Sequence, residues 1–164
     1  METLARPPYI LFVCTGNTCR SPMAEALFRH ALQVESAPLR DFSVRSAGLA
    51  AAAGQPASAN AVRALKNVGI DLSSHHSQPV TPDLVTHARA VFAMTSQHLR
   101  ALQQHFPHRP SMVNLMRDFL PENISREIPD PYGMGLAEYE ACRDSMVEAI
   151  PSLLAVLRQQ VASA

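Results

Sequence analysis

Two hydrophobic rhythms share this chain. Tyr9–Val13 is a short unbroken apolar run, as in a strand buried on both faces. Phe42 and Val44 alternate within 41–45, and 89–94 and 112–115 are again short and mostly apolar. Four strands are predicted there. Between them the period lengthens. Met23/Ala24, Leu27/Phe28 and Ala31/Leu32 recur at helical spacing over 22–34, and helical patterns also cover 57–67 and 97–106. Gly69 is placed as the C′ glycine of the 57–67 helix. Ala50–Ala53, set among Gly48, Gly54 and Pro56, reads as a loop, and Pro107–Pro110 as a helix stop. A last pattern runs from Leu136 through Tyr139, Met146, Ile150 and Leu153 to Leu157. Pro151 predicts a kink or a break in it, because proline removes a helical hydrogen bond. Strands alternating with helices imply an α/β fold with a four-stranded parallel sheet and helices on both faces. Ligands in such sheets bind at the carboxyl ends of the strands.

The chemistry concentrates at one such end. Cys14 closes the first strand, and Thr15, Gly16, Asn17, Thr18 and Cys19 lead to Arg20 and a helix. Ser21 is a good N-cap, Pro22 fits the first helical position, and Glu25 falls in the first turn. A helix N-terminus leaves backbone N–H groups unpaired and carries partial positive charge. Gly16 is expected to supply backbone freedom, so that successive N–H groups turn inward as an anion nest. Arg20 adds a planar fork of donors matched to phosphate oxygens. Such surroundings favour the thiolate of Cys14, a nucleophile for in-line attack on phosphorus. The competing reading of Cys14 as a small buried hydrophobe ignores the strand before it and the helix after it.

The segment Phe12–Glu25, FVCTGNTCRSPMAE, resembles the signature of the low-molecular-weight protein tyrosine phosphatase family. Ser46-Ala47-Gly48, Gly69-Ile70-Asp71-Leu72-Ser73, Ala93-Met94-Thr95 and Asp130-Pro131-Tyr132 follow in the family's order, from about Tyr9 to about Leu157. The resemblance implies a Rossmann-like three-layer sandwich and hydrolysis through a phospho-cysteine, with no metal and no cofactor. It implies Asp130 as general acid and then base, and Asn17, Ser21 and His75 as braces of the phosphate loop, with Ser21 also donating to the sulfur. Cys19 corresponds to a cysteine that forms a reversible disulfide with the nucleophile. Asp83 and Asp118 carry no such local mark, and Cys142 reads as structural. His75-His76 and His105/His108 offer no convincing metal shell.

Thr18 and Tyr132 bear on specificity. Tyrosine-directed members carry an apolar residue at the position of Thr18; threonine there, and the Ala93–His98 run, resemble the bacterial protein arginine phosphatases. A hydroxyl in place of an apolar wall suits a guanidinium. Tyr132 is the aromatic common in tyrosine-directed members, and it also suits stacking on a guanidinium plane. Phosphoarginine in a protein is therefore the expected substrate, and phosphotyrosine the alternative. An arsenate reductase would need resolving cysteines near 80–95, and Val80–Met94 has none. A non-hydrolysing phospho-binding module would have lost Cys14, Arg20 or Asp130.

Bulk numbers change little. The 164 residues suit one domain, with 1–8 and 158–164 expected to be loosely ordered. Lys+Arg and Asp+Glu both number 14, so no strong field points to nucleic acid or an anionic membrane. Neither a spanning apolar run nor a signal-peptide core is present. Three cysteines form no disulfide framework, and a thiolate needs a reducing compartment, so the cytoplasm is the expected location; a monomer is expected as well.

Overall fold

A computed structural model describes residues 6–163. Four parallel strands, β1 (Tyr9–Cys14), β2 (Ser43–Gly48), β3 (Ala90–Ala93) and β4 (Val113–Leu115), form one sheet in the order β2-β1-β3-β4. Five helices connect or follow them: α1 (Arg20–Leu32), α2 (Ala59–Lys66), α3 (Pro82–Thr86), α4 (Ser96–His105) and α5 (Leu136–Ala162). Strand side chains alternate between two cores. Ile10, Phe12 and Phe92 pack under α1, α2 and α5, while Leu11, Val13 and Val91 pack with Leu84, Val85 and Leu102 of α3 and α4. This is the expected three-layer sandwich.

The strand order positions the site. From β1 the chain goes to β2 on one side, and later returns to β3 on the other. The loops after β1 and β3 therefore diverge, leaving a crevice at their carboxyl ends. Cys14 ends β1 at that crevice, in register with Gly48 of β2.

Several boundaries differ from expectation for identifiable reasons. The second strand starts at Ser43, because a 3-10 turn takes up Leu39–Asp41, and it runs on to Gly48. The small residues Ala47 and Gly48 let the β1 loop pass close by. A Cβ on Gly48 would lie 2.5 Å from the Thr15 carbonyl oxygen and 2.9 Å from the Asn17 nitrogen. Helix α3 was not predicted; Thr81 caps it and Pro82 opens it. Gly69, at φ +81°, is the C′ glycine as expected. Ile70 N–H bonds the Leu65 carbonyl and Gly69 N–H that of Lys66, a Schellman closure.

Helix α1 begins at Arg20 with Cys19 as its N-cap, so Ser21 is not the cap and Glu25 is beyond the first turn. The Ser21 hydroxyl is engaged inside the loop instead. Glu25 pairs with Arg29 at 3.4 Å, and burial raises its carboxyl pKa. Helix α5 continues unbroken through Pro151. The carbonyl freed by that proline belongs to Val147, on the exposed side, where water can serve it. The helix also continues through 158–162, where fraying was expected. Leu157 is buried, and Arg158 Nε donates to Glu35 at 2.9 Å. Met1–Ala5 and Ala164, parts of the segments expected to be loose, lie outside the described residues.

Candidate active site

The loop from Cys14 to Arg20 wraps a cleft of about 220 Å³ whose wall also includes Asp130 and Tyr132. Four of its carbonyls are engaged by segments outside the loop. The Cys14, Thr15 and Thr18 oxygens accept from the N–H groups of Leu49, Ala50 and Ser58 at 2.9, 2.9 and 2.8 Å. The Asn17 oxygen lies 2.7 Å from His75 Nε2, so His75 reaches the loop. Carbonyls turned out leave the amide N–H groups free to turn in, the arrangement that holds an anion.

Asn17, not Gly16, carries the strained backbone. Asn17 sits at φ +56°, the left-handed region that asparagine tolerates. Gly16 has no positive φ, and a Cβ there would meet Thr18 Oγ1 at an ordinary 3.7 Å. Asn17 is fully buried and its side chain is saturated. Its Nδ2 donates to Ser21 Oγ (2.8 Å) and Ser46 Oγ (3.0 Å), and its Oδ1 accepts from Gln78 N–H (2.9 Å). Those bonds hold a conformation the backbone alone disfavours.

The same bonds orient the sulfur's neighbours. Ser21 Oγ accepts from Asn17, so its own hydrogen is free for Cys14 Sγ at 2.9 Å; the alternative acceptor, Ala47 O, is 3.5 Å away. Asn17 N–H points at the same sulfur at 3.3 Å. Two donors and a helix N-terminus thus converge on a buried thiol.

Arg20 is 4% exposed and anchored by Nη1 to the Ile128 carbonyl at 3.1 Å. Its Nη2 lies 3.6 Å from Asp130 Oδ2. The Asp130 side chain is half-exposed, and its Oδ1 accepts from Tyr132 N–H at 3.1 Å, an Asx turn. Gly133, at φ +78°, completes the reversal. Tyr132 stands at the rim, 74% exposed. Arg20 and Asp130, 110 positions apart, therefore face one cleft. The other two carboxylates are occupied elsewhere: Asp118 Oδ2 accepts from Leu115 N–H at 2.8 Å, and Asp83 pairs with His87.

Cys19 Sγ lies 2.7 Å from Ser58 Oγ and 3.2 Å from Tyr139 OH, and burial pushes the Tyr139 phenol up to about 12. Cys142 is buried in α5, and burial pushes its thiol up to about 12 as well. All three cysteines are free thiols.

One residue at this site was not singled out from the sequence. His98, near the start of α4, is 5% exposed, with Nε2 2.8 Å from Thr15 Oγ1. Its Nδ1 is buried without a partner. The available signal was its position, five residues past the end of a buried strand, on the carboxyl side of the sheet. Around it, Thr95 caps α4, and Glu127 receives Ser96 N–H on both carboxylate oxygens at 3.0 Å. Ile128 N–H bonds the Met94 carbonyl at 2.9 Å. The β3–α4 turn thereby clasps the segment that leads to Asp130.

Burial, and then the Arg20 charge, pull the His98 imidazole down to about 4. An unfolded chain takes up that proton near ~6.5, whereas the folded chain resists until about 4. Between those values the unfolded state binds more protons, so stability falls as pH falls through the window. The expected contribution is on the order of 2 kcal/mol. Urea midpoints at pH 7.5 and 4.5 check this: His98→Gln should lose clearly less stability on acidification than the wild type.

A family model for low molecular weight phosphotyrosine protein phosphatase matches residues 9–163. The chain is 38% identical to a protein-arginine-phosphatase of Geobacillus stearothermophilus, over 93% of this chain and 99% of that one. It is 34% identical to a probable low molecular weight protein-tyrosine-phosphatase, EpsP, of Ralstonia nicotianae, over 91% and 95% of the two chains. Among solved structures, the YwlE arginine phosphatase of Geobacillus stearothermophilus superposes with a TM-score of 0.82 at 36% identity, covering 96% of this chain and 97% of that one.

Proposed function

The chain belongs to the low-molecular-weight phosphotyrosine protein phosphatase family, and we propose that it hydrolyses phosphoarginine in proteins through a phospho-cysteine. In the first step Cys14 sulfur attacks phosphorus in line. The S–P bond forms, the P–N bond breaks, and the departing guanidine nitrogen takes the proton of the Asp130 carboxylic acid. Arg20 and the inward amides stabilise the equatorial oxygens. In the second step Asp130, now a carboxylate, takes a proton from water as its oxygen attacks phosphorus. The P–S bond breaks, the thiolate leaves towards the Ser21 hydroxyl, and phosphate departs. Asn17 and His75 brace the loop. No metal or cofactor enters these steps.

One observation carries the choice of substrate. The Thr18 side chain lines the cleft, and its hydroxyl has only a long 3.8 Å approach to Cys19 Sγ. That hydroxyl is free to accept from a guanidinium, which is planar and offers only donors. The relative from Geobacillus stearothermophilus, named for arginine phosphatase activity, agrees with this reading. Tyr132, exposed at the rim, favours a second reading, a tyrosine phosphatase whose substrate ring stacks there.

The test is a side-by-side assay on phosphoarginine and phosphotyrosine peptides. The wild type should prefer phosphoarginine, and Thr18→Ile should move the kcat/KM ratio towards phosphotyrosine by about tenfold or more. A wild type that turns over only phosphotyrosine would establish the second reading.

Cys19, which lines the cleft together with Cys14, is the proposed redox partner of the nucleophile. One chain supplies Cys14, Arg20 and Asp130, which supports action as a monomer. No described helix is long and apolar enough to cross a membrane. A free nucleophilic thiol supports work in a reducing compartment such as the cytoplasm.

A further inference from the structure

We propose that Thr15, held by His98, is a second specificity-determining hydroxyl of the cleft, reading the P–N junction of the substrate from the wall next to Cys14. This rests on the phosphoarginine reading above.

Thr15 is the first residue after the nucleophile, and it lines the cleft together with Thr18, Asp130 and Tyr132. It is exposed, and a threonine hydroxyl on an exposed loop would ordinarily rotate. Here it is fixed by a buried imidazole on another element, 83 positions away. The crossing is possible because β1 and β3 are neighbours whose following loops part at the crevice.

The His98 ring is poorly placed for stability alone. A buried polar atom without a partner is destabilising, and Nδ1 is such an atom. An apolar ring would fill the space without that penalty. What the imidazole adds is the Thr15 contact. Its own backbone is held in turn, since His98 N–H donates to the capping Thr95 Oγ1 at 3.3 Å.

The hydrogen-bond pattern assigns the tautomer. An orphaned buried acceptor is tolerated better than an orphaned N–H. Nδ1 therefore carries the lone pair, and Nε2–H donates to Thr15 Oγ1. Burial keeps the ring neutral near pH 7, consistent with one hydrogen on the pair of nitrogens. A hydroxyl has one hydrogen and two acceptor sites. With one acceptor site used by His98, Thr15 keeps one acceptor site and its hydrogen for a ligand.

Phosphoarginine presents matching groups side by side. Its guanidinium N–H donors meet the acceptor site, and a phosphoryl oxygen meets the hydrogen. Phosphotyrosine carries the phosphoryl oxygen but has no donor beside it. A site built to bond a substrate N–H loses far more on removal of the partner than a site facing an apolar group.

Thr15→Val keeps the shape and removes the hydroxyl. Its kcat/KM on a phosphoarginine peptide should fall about tenfold or more beyond the fall on a phosphotyrosine peptide, which loses only the phosphoryl contact. His98→Phe should show the same selective loss, smaller in size. The double variant should be no worse than Thr15→Val alone, because the two residues act as a unit. Thermal melting of each variant accompanies the kinetics, and His98→Gln replaces His98→Phe if the latter does not fold. Parallel losses on both substrates would show a merely structural role and overturn the inference. Unchanged selectivity in Thr15→Val would overturn it too, with the phosphoarginine function intact. A wild type inactive on phosphoarginine would overturn both.

Discussion

Cys14→Ser is expected to lower turnover of p-nitrophenyl phosphate by on the order of 10⁴-fold or more, while inorganic phosphate still binds. The two halves of that result have separate physical origins. Turnover needs an anionic nucleophile. The Cys14 sulfur has the Ser21 hydroxyl at 2.9 Å and Asn17 N–H at 3.3 Å, at the start of α1, as donors in place for a charged nucleophile. A serine hydroxyl in the same place stays neutral, and no general base lies against it to take its proton. In the proposed mechanism phosphate binding depends on different groups: the amides of the loop and the anchored Arg20. The change from sulfur to oxygen leaves them in place. Isothermal titration with phosphate, beside the kinetic assay, checks both halves. Residual activity within tenfold of wild type would remove Cys14 from the nucleophile's place. Loss of phosphate binding in a variant that melts normally would mean that the loop does not form the anion site.

Much of this geometry was legible in the sequence because it depends on local patterns. Tyr9–Val13 is apolar throughout, a strand with both faces covered, and such a strand must be central. A cysteine at its end, a short loop and a helix then put chemistry at the carboxyl edge of a sheet. Contacts between distant segments were harder to read. Ser21 has the composition of an N-cap, yet its hydroxyl bonds Cys14 and Asn17, and the helix starts one residue earlier. Local propensity lost to a buried network that needed the same atom. Gly16 drew the expectation of unusual backbone that Asn17 carries, because only the fold reveals that Ser46 and Gln78 lie within reach of an asparagine side chain. The partner of His98 was hidden for the same reason. Nothing in a single chain says that β3 lies beside β1, so nothing pairs a histidine at 98 with a threonine at 15. Pro151 shows the opposite case, a correct local rule with a harmless outcome, since the carbonyl it frees faces solvent.

Asp130→Asn is expected to lower kcat on phosphoarginine peptides by about 10²–10⁴-fold, with KM nearly unchanged. Asparagine keeps the turn, because its Oδ1 can still accept from Tyr132 N–H, as Asp130 Oδ1 does at 3.1 Å. The loop also remains tied to the rest of the site through the Arg20–Ile128 and Ile128–Met94 bonds. What is lost is a transferable proton. Leaving groups separate this from simple damage. A guanidine nitrogen or an alkoxide needs protonation to depart, whereas p-nitrophenolate is already a stable anion. The loss in kcat/KM on p-nitrophenyl phosphate should therefore be much the smaller, and across aryl phosphates the logarithm of kcat/KM should fall more steeply with leaving-group pKa than in the wild type. Dephosphorylation also slows, because water has lost its base, so a pre-steady-state burst of p-nitrophenol should stand out in the variant. Equal losses on good and poor leaving groups would mean that the carboxylate serves only to hold Arg20, 3.6 Å away, and that the proton comes from another group.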